Sequence, residues 1–215
     1  MTHTNHRQGT RESLSKDYVV FIYAARGIND KDAGPKLQEF LRMGYKYNPV
    51  NAGPARTGDV FMSSPEKVVE RVARAGSAYL VLDNKEKVEA FVKDVVEADL
   101  GLSVIVSGLF DEVDEVCQAA GIKRHTAQCS LGVWGNVKRL PEEEILDITT
   151  MCGHSMVSFN LVRRMATEVS KGMISIKEAG RIMARPCSCG IFNPKRAEDL
   201  LRQYIATGLG EERRR

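Results

Sequence analysis

The chain reads as an α/β protein, with α+β as the alternative. A small α/β or ferredoxin-like sheet domain is followed by a helical subdomain that carries a cysteine cluster. Three observations predict this. Short runs of β-branched and aromatic residues alternate with amphipathic helical patterns between Tyr18 and Trp134. No strand pattern appears after about residue 137, where helical periodicity takes over. Four of the five cysteines lie between Cys129 and Cys189, in the stretch where the pattern changes.

The elements follow in order. Residues 1–16 are polar and contain His3 and His6. They read as a flexible arm, with a strand-adding or site-covering arm as the alternative. Tyr18-Val-Val-Phe-Ile-Tyr23 is a continuous apolar run and predicts a buried strand. A helix with Leu37, Phe40, Leu41 and Gly44 near one face comes next, then a turn-rich connection, Asn48 to Pro54. Ser63 and Glu66 predict a capping box, and Pro65 sits near the first helical position of Pro65–Ala75. Tyr79–Leu82 and Leu102–Val106 are strands on either side of a charged helix, Lys85–Ala98, whose stripe is Val88, Phe91, Val92 and Val95. Asp111 is expected to cap a helix that Gly121 stops, with Cys117 on its core face. The segment Lys123–Trp134 reads as a further strand with irregular edges; in it His125 is a surface residue, and Trp134 lines a pocket or closes the core.

Beyond Pro141, Glu142–Glu144 open a helix, where negative charge suits the amino-terminal dipole. Further helices are expected over Leu161–Val169, over Ile176–Ala184 behind a Ser175–Glu178 capping box, and from Asn193-Pro194 through Ile205. The expected organisation is therefore an arm at 1–16, an α/β domain at 17–137, a helical metal-binding subdomain at 138–208 and a tail at 209–215. Short connections such as that between Ala98 and Leu102 also fit a split, ferredoxin-like sheet, and strand direction is not legible.

Bulk composition narrows the function classes. The 215 residues are 43% apolar and 27% charged, which suits a globular chain with a real core. The net charge of +3 is spread along the sequence, and its one dense run, Arg213 to Arg215, reads as a frayed tail; no nucleic-acid partner is expected. No apolar stretch reaches the ~18 residues of a membrane span, and the polar amino terminus lacks the apolar region of a secretory signal. A cytoplasmic protein with reduced thiols and no membrane contact is expected.

In such a compartment, five cysteines read as core residues, nucleophiles or metal ligands before disulfides. Cys152 lies in Met151-Cys-Gly-His-Ser155, and Cys187 and Cys189 in Pro186-Cys-Ser-Cys-Gly190. Both segments are glycine-containing breaks between helices, and both are expected to place thiols just before a helix start, where a thiolate or an anionic cluster is favoured. Two thiols two positions apart point away from each other on a strand or helix but converge in a loop. A metal site is the reading, against buried apolar cysteines or a redox dithiol.

Three thiolates, with Cys129 as a distant fourth, suit a 4Fe-4S iron–sulfur cluster. If Cys129 does not ligate, one iron stays open to act on a substrate oxygen or to bind sulfur. Zinc is the rival cofactor, held by Cys152, His154, Cys187 and Cys189. His154 is the candidate proton carrier, with a cap or supporting role as its alternative. Weaker candidates for substrate binding are Arg26 and Asn29 after the first strand, Arg56 in Gly53-Pro-Ala-Arg-Thr-Gly58, and Lys195, which flanks the cysteine loop with Arg185 and Arg196. Dinucleotide, phosphate-loop and nucleophile-elbow patterns do not occur. The expected activity is that of a cluster-dependent enzyme, of lyase or sulfur-transfer type, on a small anionic metabolite. Partners would be that substrate and a partner subunit or further copies of the chain. The alternative is a zinc- or cluster-stapled binding module.

Overall fold

A computed structural model describes residues 4–54, 61 and 63–208. The expectations for His3, Arg56, the arginine run and the tail at 209–215 lie outside the described residues. The elements are helix α1 (Arg11–Leu14), strand β1 (Tyr18–Tyr23), α2 (Ala33–Tyr45), β2 (Asn51–Pro54), α3 (Pro65–Val72), β3 (Ser77–Leu82), α4 (Lys85–Ala98), β4 (Ser103–Ser107) and α5 (Phe110–Ala119). After a single 3-10 turn at Val137–Arg139 come α6 (Glu143–Thr149), α7 (Phe159–Ser170), α8 (Ile176–Ala184) and α9 (Pro194–Ala206).

The four strands form one sheet in the order β2-β3-β1-β4, and every pairing is antiparallel. This is the order of a split β-α-β sheet, with α3 inserted between β2 and β3. The open question of direction is thus settled by the pairing. β2 is a strand that composition concealed. Asn-Ala-Gly-Pro has poor strand propensity, yet Asn51 faces Val81 and Pro54 faces Ala78 in register, so pairing overrides propensity. Pro54 is tolerated because β2 lies at the sheet's edge.

Alternation along the central strands builds two cores. Tyr18, Val20, Ile22, Leu80 and Leu82 face α2, α3 and α4. Val19, Phe21, Tyr79 and Val81 face the other way and meet residues of α6 to α9. The carboxy-terminal helices therefore cover the second face of the sheet, and the halves on either side of residue 137 share one core. No strand follows Ser107 among the described residues.

Three local expectations are corrected. Residues 123–134 form no strand, and the whole stretch 121–140 is exposed. Trp134 lines no core, being 83% exposed. The caps shift: Leu109 rather than Asp111 precedes α5, and Ser64 rather than Ser63 caps α3 by accepting from Lys67 N–H. Ser175 caps α8 through Glu178 N–H at 3.1 Å, as the capping box predicts. Cys117 is buried on α5, as expected of a core residue.

Candidate metal centre

Two loops make the site, one after α6 and one after α8. In the first, Cys152 N–H donates to Thr149 O at 3.1 Å and Ser155 N–H to Cys152 O at 3.0 Å. In the second, Cys187 N–H donates to Ala184 O and Gly190 N–H to Cys187 O, each at 3.0 Å. Gly190 has φ +74°, a conformation that closes this turn and that a side chain would strain. The thiols thus follow helix carboxy ends, and the expectation that they stand just before helix starts is corrected. Ser158 caps α7 and Asn193 caps α9, several residues further on.

The loops bring three thiols together. Cys152, Cys187 and Cys189 are 2%, 0% and 5% exposed. Cys187 Sγ lies 3.6 Å from Cys189 Sγ, and Cys152 is hydrogen-bonded to Cys187. His154 is exposed at the rim, with Nδ1 3.8 Å from Cys189 Sγ. Cys129 is exposed in the segment beyond α5, whereas the other three thiols are buried.

The backbone of His154 and Met156 favours the thiolate of Cys152, and that of Ile191 the thiolates of Cys187 and Cys189, each as a minor influence. Hydrogen bonds to sulfur favour the thiolate and tune a metal bound to it. The bond from Cys187 pulls the Cys189 thiol below its usual range, against burial. The bond with Cys187, and then burial, pushes Cys152 well up. Cys187 is lowered by Cys152 but raised by Cys189 and by burial, and stands at about 12. Cys189 is thus the thiol most favoured to ionise, with Cys187 and Cys152 held up behind it. Among the described residues no three His, Cys, Asp or Glu side chains are already arranged as a metal-ion site. Ligation therefore requires the thiols to lose their shared protons and turn toward a common centre.

Residues that sequence reasoning missed hold the loops. Asn51 of β2 donates Nδ2 to Phe192 O at 2.9 Å, in full burial. The amino-terminal arm makes hydrogen bonds to both loops. Arg7 donates to Ile191 O, and Gln8 N–H donates to Thr150 Oγ1 at 3.1 Å. Arg7 and Arg196 both pair with Asp17, and none of these three side chains is more than 6% exposed. Arg196 also donates to Ser13 Oγ and Gln8 O, and Asn193 donates to Lys16 O and Asp17 Oδ1. Asp17 is shared by both guanidinium groups, and Asp147 adds a second negative charge near Arg196. The signal for this lay in residues far apart in sequence, and no local pattern announces it.

The weaker candidates are brought elsewhere. Lys195 pairs with Asp83 and Arg185 with Glu178, so neither cation stands free beside the thiols. Asn29 shapes a turn, accepting from Ala25 N–H at 2.7 Å and donating to Gly101 O at 2.9 Å. Arg26 is exposed in the same turn at the end of β1.

Neither a protein-family model, a curated protein nor a solved structure matches this chain. No helix of the described residues is long and apolar enough to cross a membrane.

Proposed function

We propose that Cys152, Cys187 and Cys189 ligate a metal centre, an iron–sulfur cluster with one iron open toward His154, and that the chain is an enzyme using that iron. The observation that carries the reading is the meeting of three buried thiols from two loops, with Cys187 Sγ 3.6 Å from Cys189 Sγ. Thiols that converge in this way can share one metal once they are deprotonated. The substrate is a small anionic molecule. Cys152, Cys187 and Cys189 would hold the cluster, and an iron left without a protein thiolate would supply Lewis-acid chemistry toward a substrate carboxylate or similar oxygen. His154, at the rim beside Cys189, moves the proton. This is lyase-type chemistry, with sulfur transfer as its variant.

A second reading has a specific observation in its favour. Two thiolates on one zinc, each at ~2.3 Å, stand about 3.8 Å apart. Cys187 and Cys189 are already near that spacing at 3.6 Å. Thiolates on separate irons of a cluster stand further apart and would require the loops to open. Under this reading Cys152, Cys187, Cys189 and His154 hold zinc and staple the carboxy-terminal helices.

The test uses single variants purified without oxygen. Cys152→Ser, Cys187→Ser and Cys189→Ser each lose the metal, while Cys129→Ser keeps it. His154→Gln keeps the metal under the cluster reading and weakens it under the zinc reading. Unchanged metal content in all three buried-thiol variants removes both readings.

A further inference from the structure

Residues 121–140 are exposed without interruption, although they lie between two packed helices in sequence. Leu131 and Trp134 are each 83% exposed, and Val133 is 54% exposed. No backbone-to-backbone hydrogen bond joins residues 123–134 to another described residue. Yet the sequence here is a strand pattern: Ala127, Cys129, Leu131 and Val133 alternate with Gln128, Ser130 and Gly132. A strand pattern without a strand partner marks a missing neighbour.

The same chain carries a matching vacancy. β4 pairs with β1 alone, so one side of its backbone is unpaired among the described strands. Ser103 of β4 is exposed and Val104, Ile105 and Val106 are half-buried, whereas Val19 to Ile22 of the adjacent strand are fully buried. The opposite edge, β2, is buried throughout.

We propose that residues 126–133 of one copy add as a fifth strand beside β4 of a second copy, and that the exchange is reciprocal. Added strands gain affinity from main-chain hydrogen bonds and selectivity from alternate side chains. A two-fold pairing satisfies both donor strands and both edges at once, which explains why one chain carries each half of the contact. Each copy supplies the eight residues 126–133 and the five of β4; this is smaller than the roughly 20–30 residues per side of a standard interface, so the contact relies on main-chain pairing at both edges. Leu131, Val133 and the half-buried face of β4 supply the apolar centre. The proposal rests on this segment and this edge, and is independent of the thiol centre.

Sedimentation equilibrium of the full chain tests it, together with Trp134 fluorescence, since the chain has a single tryptophan. The expected result is a dimer with blue-shifted emission. The double variant Leu131→Lys, Val133→Lys is expected to halve the mass and red-shift the emission, with an unchanged far-ultraviolet circular dichroism spectrum because neither side chain is in the core. A wild-type monomer overturns the proposal, whether its Trp134 is exposed, awaiting a different protein, or is covered by its own chain. A double variant that remains a dimer overturns it equally.

Discussion

Each thiol is set by what donates to it. Cys189 is held below its usual range by Cys187 and by Ile191 N–H, and it is the thiol that reaches His154. Removing that sulfur should therefore cost function rather than folding. Cys189→Ser is expected to fold with wild-type circular dichroism and to carry no metal; a metal-loaded variant would contradict its role. Asp17 is set differently. Its carboxylate neutralises Arg7 and Arg196 in a site that water does not reach. Asp17→Asn removes the carboxylate that both buried guanidinium groups share, leaving only Asp147 near Arg196, and removing one partner of a buried pair typically costs about 3–5 kcal/mol. Urea denaturation should show a loss of that size, and a loss below about 1 kcal/mol would mean that the cluster is not closed as described.

Among the elements, those whose signal is local were legible in the sequence. α4 runs from Lys85 to Ala98 and α8 from Ile176 to Ala184, as their apolar stripes and caps predict. β1 was legible because a six-residue apolar run buried on both faces has few other readings. β2 was not, because its residues become a strand only through β3. The clamp on the cysteine loop was equally hidden, since Arg196 and Asp17 are 179 positions apart. The cysteines were legible as a group, but their place after helix ends was not, because turn geometry rather than residue type decides it. Packing between α2 and β3 gives one further expectation. A Cβ on Gly44 would lie 1.9 Å from Leu80 Cδ1, so Gly44→Ala should cost about 1–3 kcal/mol through forced repacking, read as a lower thermal midpoint.

Glu142 joins three elements. It accepts from Arg163 of α7 and from Tyr204 of α9, each at 2.9 Å, at the start of α6. Burial alone would raise its pKa, but these bonds outweigh it and lower the value to about 2. The folded pKa lies below the unfolded one, so the stabilisation is complete above about pH 4.5 and disappears as pH falls toward 2. The stability gap between wild type and Glu142→Gln should therefore close over that window. A gap that stays constant would show that the carboxylate's charge is not what these helices use.

Over the whole molecule, one sheet divides two helical layers, and its central strands feed both cores. A chain ending at residue 137 would expose Val19, Phe21, Tyr79 and Val81, none more than 2% exposed in the full fold. That fragment should lack a dispersed amide spectrum, and the intact chain should unfold in a single thermal transition. A well-folded fragment would show that the sheet domain stands alone. The three thiols lie within the second core, beside the arm and the sheet, so the account depends on whether they hold metal. The most direct measurement is the visible absorption spectrum of the anaerobically purified chain, with iron, sulfide and zinc determined on the same sample. The account predicts a brown protein with iron and sulfide in stoichiometric amounts. A colourless protein with stoichiometric zinc would contradict the cluster and leave the staple, and a colourless protein without metal would contradict the centre itself.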